Sequence, residues 1–132
     1  MVGGVGMLIG HMVGDYLLQN DWMARNKMLK TDDGRFACVV HCVIYSFSIA
    51  LFTVVDGWRC FESIGVSLFA AFAIAFATHF FIDRDSLGKK WINMYGQSKL
   101  GTDNPFAPLV YVAVDNTLHL VLMWMLFSWL SV

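Results

Sequence analysis

FACVVHCVIYSFSIALFTVV, residues 36–55, runs for twenty positions without an Asp, Glu, Lys or Arg, and its one imidazole is His41. Coiled as a helix at ~1.5 Å per residue, the stretch is about as long as the ~30 Å hydrocarbon core of a bilayer is thick. Backbone N–H and C=O groups in lipid must pair within their own segment, so a helix is expected rather than an open strand. The imidazole is the second clue. Ionisable side chains inside a span are costly and turn toward partners, water or metal rather than acyl chains.

Outward from this run, three more apolar stretches appear, at about 2–20, 63–82 and from Pro105 or Pro108 to 132. The third is expected to continue toward Gly88. Of the 132 residues 58% are hydrophobic and only 14% charged, too few polar groups to cover a soluble domain this small. The fold class is therefore all-α: one domain, residues 1–132, a polytopic bundle of four transmembrane helices. Residues 1–10 carry no Lys or Arg and lead to no small-residue cleavage site, so they read as a retained first span. The net charge of −1 gives no basis for nucleic-acid binding. Three cysteines are an odd number; Cys38 and Cys42 lie in the apolar run, which predicts buried free thiols rather than a disulfide framework.

The connecting segments set the orientation. Arg25, Lys27, Lys30 and Arg35 occupy the first, and Arg84, Lys89, Lys90 and Lys99 the third; Arg59 alone lies in the second. The positive-inside rule puts the first and third in the cytoplasm and both termini outside, as for a multi-pass membrane protein. Residues 87–95 mix Leu, Trp, Ile, Met and Tyr with two lysines and predict a short interfacial helix. Gly6, Gly10 and Gly14 form a small-residue stripe that suits close packing, within the chain or in a homo-oligomer.

The chemistry lies in the histidines. All four, His11, His41, His79 and His119, fall inside expected spans, and three have an aspartate four residues away: His11 with Asp15, His79 with Asp83, Asp115 with His119. Residues four apart share a helix face, so each pair presents two ligand groups to one point. By helical rise, Asp15 and Asp115 lie ~9 Å inside the cytoplasmic boundary, His11 and His119 ~15 Å and His41 ~7 Å. The reversed order of the pairs, HxxxD and then DxxxH, is what antiparallel helices need to put like beside like. Seven such ligands suit one or two divalent ions, zinc first, with iron or manganese also compatible. Paired ions activate a water for hydrolysis, with Asp15 or Asp115 as ligand or general base.

Tyr16, Gln19 and Asn116 are expected near a substrate, Arg84 and Lys89 near an anionic head group, and Tyr45 and Tyr111 as donors to ligand carboxylates. The leading expectation is a membrane-embedded metal-dependent hydrolase open to the cytoplasm and acting on a lipid-like or phosphorylated substrate. The alternatives are a non-enzymatic membrane protein whose polar cluster or metal locks the bundle, and a metal or proton transporter. The lack of ionisable groups in the outer half of the spans disfavours transport.

These motifs carry a resemblance. HMVGDYLLQNDWMA from His11, His41 followed by Tyr45, HFFID from His79 and DNTLH from Asp115 together resemble an uncharacterised family of small integral-membrane proteins of bacteria and their phages. The likeness spans almost the whole chain and implies a multi-pass membrane protein without assigning an activity. In style the chain is also similar to bacterial inner-membrane metal-dependent hydrolases. That likeness implies ligand roles for His11, Asp15, His41, His79, Asp83, Asp115 and His119.

Overall fold

The computed structural model describes residues 3–95 and 105–131. Val2, Lys99 and Val132, named in the expectations above, lie outside the described residues. Among those described there is no strand. The order is α1 (Gly4–Met12), a π turn (Val13–Leu17), α2 (Asp21–Asn26), α3 (Asp32–Val55), α4 (Ile64–Asp85), α5 (Leu87–Met94) and α6 (Ala107–Leu130).

Three helices, α3, α4 and α6, are long and apolar enough to cross a membrane, with 24, 22 and 24 residues. Their starts are written locally. The Thr31 hydroxyl accepts from Gly34 N–H at 3.1 Å, and Asp32 and Asp33 occupy the first turn of α3, where negative charge suits the helix dipole. Large apolar side chains face outward along these helices, among them Phe47, Val55, Phe69, Met125 and Trp129. So much exposed apolar surface marks a lipid or protein contact rather than water.

α3 is the central element. α1 lies against it through the glycine stripe: a Cβ on Gly6 would come within 2.1 Å of the Phe52 carbonyl oxygen, and one on Gly10 within 2.8 Å of Ile49 Cα. A Cβ on Gly14 would sit 2.7 Å from the Tyr45 ring. The stripe thus packs inside the chain against α3. α4 packs along α3 through Ala71 and Ala75, while Met123 and Phe127 bring α6 into the same core. The Trp58 indole N–H donates to the Phe127 carbonyl at 2.9 Å and holds the end of α6 against the α3–α4 connection.

Two local departures matter for the site. α4 ends at Asp85 instead of running to Gly88, because Ser86 adopts φ 52 and turns the chain into α5. α1 does not continue as a regular helix. Leu18 N–H bonds the Val13 carbonyl at 3.0 Å, five residues back, and the wider turn carries Asp15. Such single π turns occur often at functional sites.

Candidate metal centre

Four elements each contribute an imidazole to one buried point. His11 comes from α1, His41 from α3, His79 from α4 and His119 from α6, and none is more than 1% exposed. Tyr45, one turn beyond His41 on α3, is the hub. Its ring stacks on His79 with centroids 3.6 Å apart, and the rings of His11, His41 and His119 lie 5.7, 6.2 and 6.2 Å away. Tyr45 OH meets His11 Nδ1 at 2.8 Å rather than a carboxylate.

Five of the seven expected ligands form two overlapping groups, Asp15 with His41 and His79, and His79 with Asp83 and His119. In the first, His41 Nε2 lies 3.2 Å from Asp15 Oδ1 and 2.8 Å from His79 Nε2, and the third side, His79 Nε2 to Asp15 Oδ1, is 3.6 Å. Ligand atoms held tetrahedrally at ~2.0–2.2 Å from an ion stand ~3.3–3.6 Å apart, so this triangle is close to chelating size. His79 Nε2 has one lone pair and serves one ion at a time. Asp83 adds an oxygen 3.3 Å from His79 Nε2. His11 and Asp115 stand outside both groups. His11 Nδ1 lies 3.4 Å from Asp15 Oδ2 and its Nε2 lies 3.3 Å from Asn116 Oδ1.

One tautomer is settled by geometry. His119 Nδ1 lies 2.8 Å from the Asp115 carbonyl oxygen, which can only accept, so Nδ1 carries the proton. Nε2 then presents a lone pair. It is buried without a hydrogen bond and faces Asp83 Oδ1 at 3.6 Å. Two buried acceptors facing each other are unfavourable unless a cation or proton lies between them. A ligating imidazole with its other nitrogen bound to a carbonyl is also the usual outer-shell pattern of metal sites.

Lys27 is the residue the sequence reading missed. It stands in the charged first connection and counts there only as a topology signal. The structure turns it inward, with its side chain 14% exposed, Nζ 2.7 Å from Asp83 Oδ2 and 3.2 Å from His41 Nε2. Burial alone would push its ammonium pKa down, yet the Asp83 and Asp15 carboxylates hold it above the ordinary lysine value.

The cluster opens through a cleft of about 180 Å³ between the π turn, α2 and α6, where Asp15, Gln19, Lys27, Asp115 and the hydrogen-bonded pair Tyr16 and Asn116 line the walls. Gln19 Oε1 is buried there without a hydrogen bond. Tyr111 also lines the cleft, but its hydroxyl donates to Met28 Sδ at 3.4 Å rather than to a carboxylate. Arg84 does not reach the cleft: its guanidinium donates to the Leu29 carbonyl, tying α4 to the first connection. Lys89 is exposed on α5 and does not line the cleft either. Cys38 and Cys42 are free and buried and enter neither ligand group.

The fold and this centre define an all-helical protein of the membrane class with a buried His/Asp cluster. The chain belongs to the family described as "Protein of unknown function (DUF3307)", which matches residues 5–132. Neither the curated proteins nor the solved structures contain a match to it.

Proposed function

We propose that this protein is a membrane-embedded, metal-dependent hydrolase. The observation that carries the reading is the pair of facing acceptors, His119 Nε2 and Asp83 Oδ1, at 3.6 Å in a buried site. A divalent ion, zinc before iron or manganese, fits the imidazole and carboxylate donors of Asp15, His41, His79, Asp83 and His119. Carboxylate and imidazole charge supports the same choice. Asp15, Asp83 and Asp115 against Lys27 leave a net charge of about −2 with neutral imidazoles, which one divalent ion cancels.

When bound, the ion would lower the pKa of a coordinated water and supply a nucleophile near neutral pH. Asp115 lines the cleft outside both ligand groups and serves as general base, taking the proton from water. Asp15 serves as ligand at the floor of the same cleft. His11 donates from Nε2–H to Asn116 Oδ1 and accepts from the Tyr45 hydroxyl at Nδ1, which fixes its ring beside Asp15.

The membrane arrangement belongs to the same proposal. α1 with its π turn forms a fourth, shorter span beside α3, α4 and α6, and α5, with Trp91 stacked on Tyr95, lies in the interface. The basic connections then face the cytoplasm of a bacterial inner membrane, and both termini face outside. The decisive test is metal content together with turnover. Purified protein should hold zinc, and Asp115→Asn should keep the metal while losing hydrolysis of phosphorylated or ester-linked membrane substrates. Protein that folds and carries no metal overturns the reading.

Lys27 favours a second reading. Its ammonium lies against Asp83 and His41, and His79 Nε2–H donating to His41 Nε2 satisfies that part of the cluster without an ion. In this case the cluster is a polar lock that fixes the bundle, and the protein is not an enzyme. Absence of metal together with strong destabilisation on removing Lys27 would favour it.

A further inference from the structure

We propose that the ligand of this site is a membrane lipid whose acyl chain lies along the seam between α1 and α6. Only the fate of its head group rests on the hydrolase reading.

α1 and α6 meet in antiparallel register. Tyr16 pairs with Asn116, the His11 ring lies 6.0 Å from the His119 ring, and Met7 and Gly4 stand opposite Leu120 and Trp124. The seam changes character along its length. At one end is the polar cleft over the His/Asp cluster. At the other is an apolar groove of about 390 Å³ walled by Gly4, Met7, Leu8, Leu120, Val121 and Trp124. From Gly4 to Tyr16 the helical rise is about 18 Å, more than half of the hydrocarbon core. Of that distance the groove at Gly4 to Leu8 takes about 6 Å and about 10 Å separates Leu8 from Asp15 in the cleft, a span that one acyl chain covers with its head group in the cleft and its end in the groove.

Two other apolar grooves run along the bundle. The one between α3 and α4, at Phe47, Leu51 and Phe72, and the one between α5 and α6, at Trp91, Val114 and Leu118, have apolar walls and no ionisable lining. Bulk lipid covers such faces without preference. The α1–α6 seam differs because its polar end opens into the cleft lined by Asp15, Asp115 and Lys27; the α5–α6 groove shares Val121 with it, but α5 is closed against Asp115, where a Cβ on Gly88 would lie 2.9 Å from Oδ1. Gly4 has no side chain to fill the groove, while Leu8, Val121 and Trp124 remain about half exposed at 47%, 50% and 50%.

The test uses the full chain in nanodiscs of phosphatidylethanolamine and phosphatidylglycerol, with a trace of phosphatidylglycerol bearing a diazirine at the end of one acyl chain. After irradiation and peptide mapping, label should concentrate on α1 and α6 at least five-fold over α3 and α4. Leu8→Trp and Val121→Trp, which fill the groove, should abolish that excess without changing the label on α3. Even labelling of all lipid-facing helices would overturn the assignment, and the wild-type map alone decides it if both variants fail to fold. Metal content measured on the same samples keeps the two ideas separate. Concentrated label without metal removes the hydrolase reading and keeps the lipid seam; metal with even labelling does the reverse.

Discussion

His41 Nε2 and His79 Nε2 face each other at 2.8 Å across the α3–α4 contact, with Asp15 Oδ1 closing a triangle at 3.2 and 3.6 Å. Two nitrogens this close need a proton or a cation between them, because a pair of lone pairs repels in a dry site. Since α3 and α4 are held by extensive apolar packing, neither imidazole can swing away to relieve the contact.

His79 belongs to both ligand groups, so its removal tests both at once. His79→Ala should weaken zinc binding by more than the ~10–100-fold that loss of an outer-shell partner costs. Metal analysis after dialysis against a graded chelator reads this directly. Unchanged metal content would show that the ion, if present, sits elsewhere.

Lys27→Met removes a cation that competes for the Asp83 and His41 ligand atoms. Chelator-treated variant should lose about 3–5 kcal/mol of stability, since it strands a buried carboxylate. Zinc should restore most of that loss and should bind the variant more tightly than wild type. Thermal unfolding in detergent with and without metal measures both. A loss that zinc does not touch favours the metal-free lock.

Gly10→Leu places a side chain where even a Cβ would lie 2.8 Å from Ile49 Cα. Overpacking of this kind should destabilise the protein by at least about 1–3 kcal/mol. Gly65→Ala is the control: its Cβ meets nothing nearer than Ser63 Oγ at 3.9 Å. That change should be neutral or stabilising by about 0.5–1 kcal/mol, as expected for removing glycine from a helix. Equal effects of the two substitutions would contradict the packing of α1 on α3.

Trp58→Phe deletes the hydrogen bond to the Phe127 carbonyl and keeps most of the edge-to-face contact with the Phe127 ring. The loss should be about 1 kcal/mol. Hydrogen exchange should rise in the last turns of α6 and stay unchanged in α3. Uniform exchange across the helices would instead mean that this anchor serves the whole bundle.

Much of the molecule can be read from periodicity and polarity along one chain. The run 36–55 lies inside α3, and runs 63–82 and 105–132 correspond to α4 and α6, because a long apolar run in lipid has few ways to satisfy its backbone other than as a helix. The four-residue spacing of His79 and Asp83 is a property of one helix, and so is that of Asp115 and His119. Spacing of that kind survives any packing. The rest depends on how helices rotate against one another, which no single segment encodes. Lys27 carries no local mark that separates it from Arg25 or Lys30, and only the docking of the first connection against the end of α4 brings it to Asp83. The glycines of α1 mark a close-packing face without naming what packs on it, and α3 takes that place because Tyr45 and Ile49 lie on the side they leave open. Arg84 resembles a head-group anchor until the chain turn at Ser86 and the Leu29 carbonyl engage it elsewhere. Which charges meet is decided by contacts between residues distant in sequence, and those exist only once the bundle has closed.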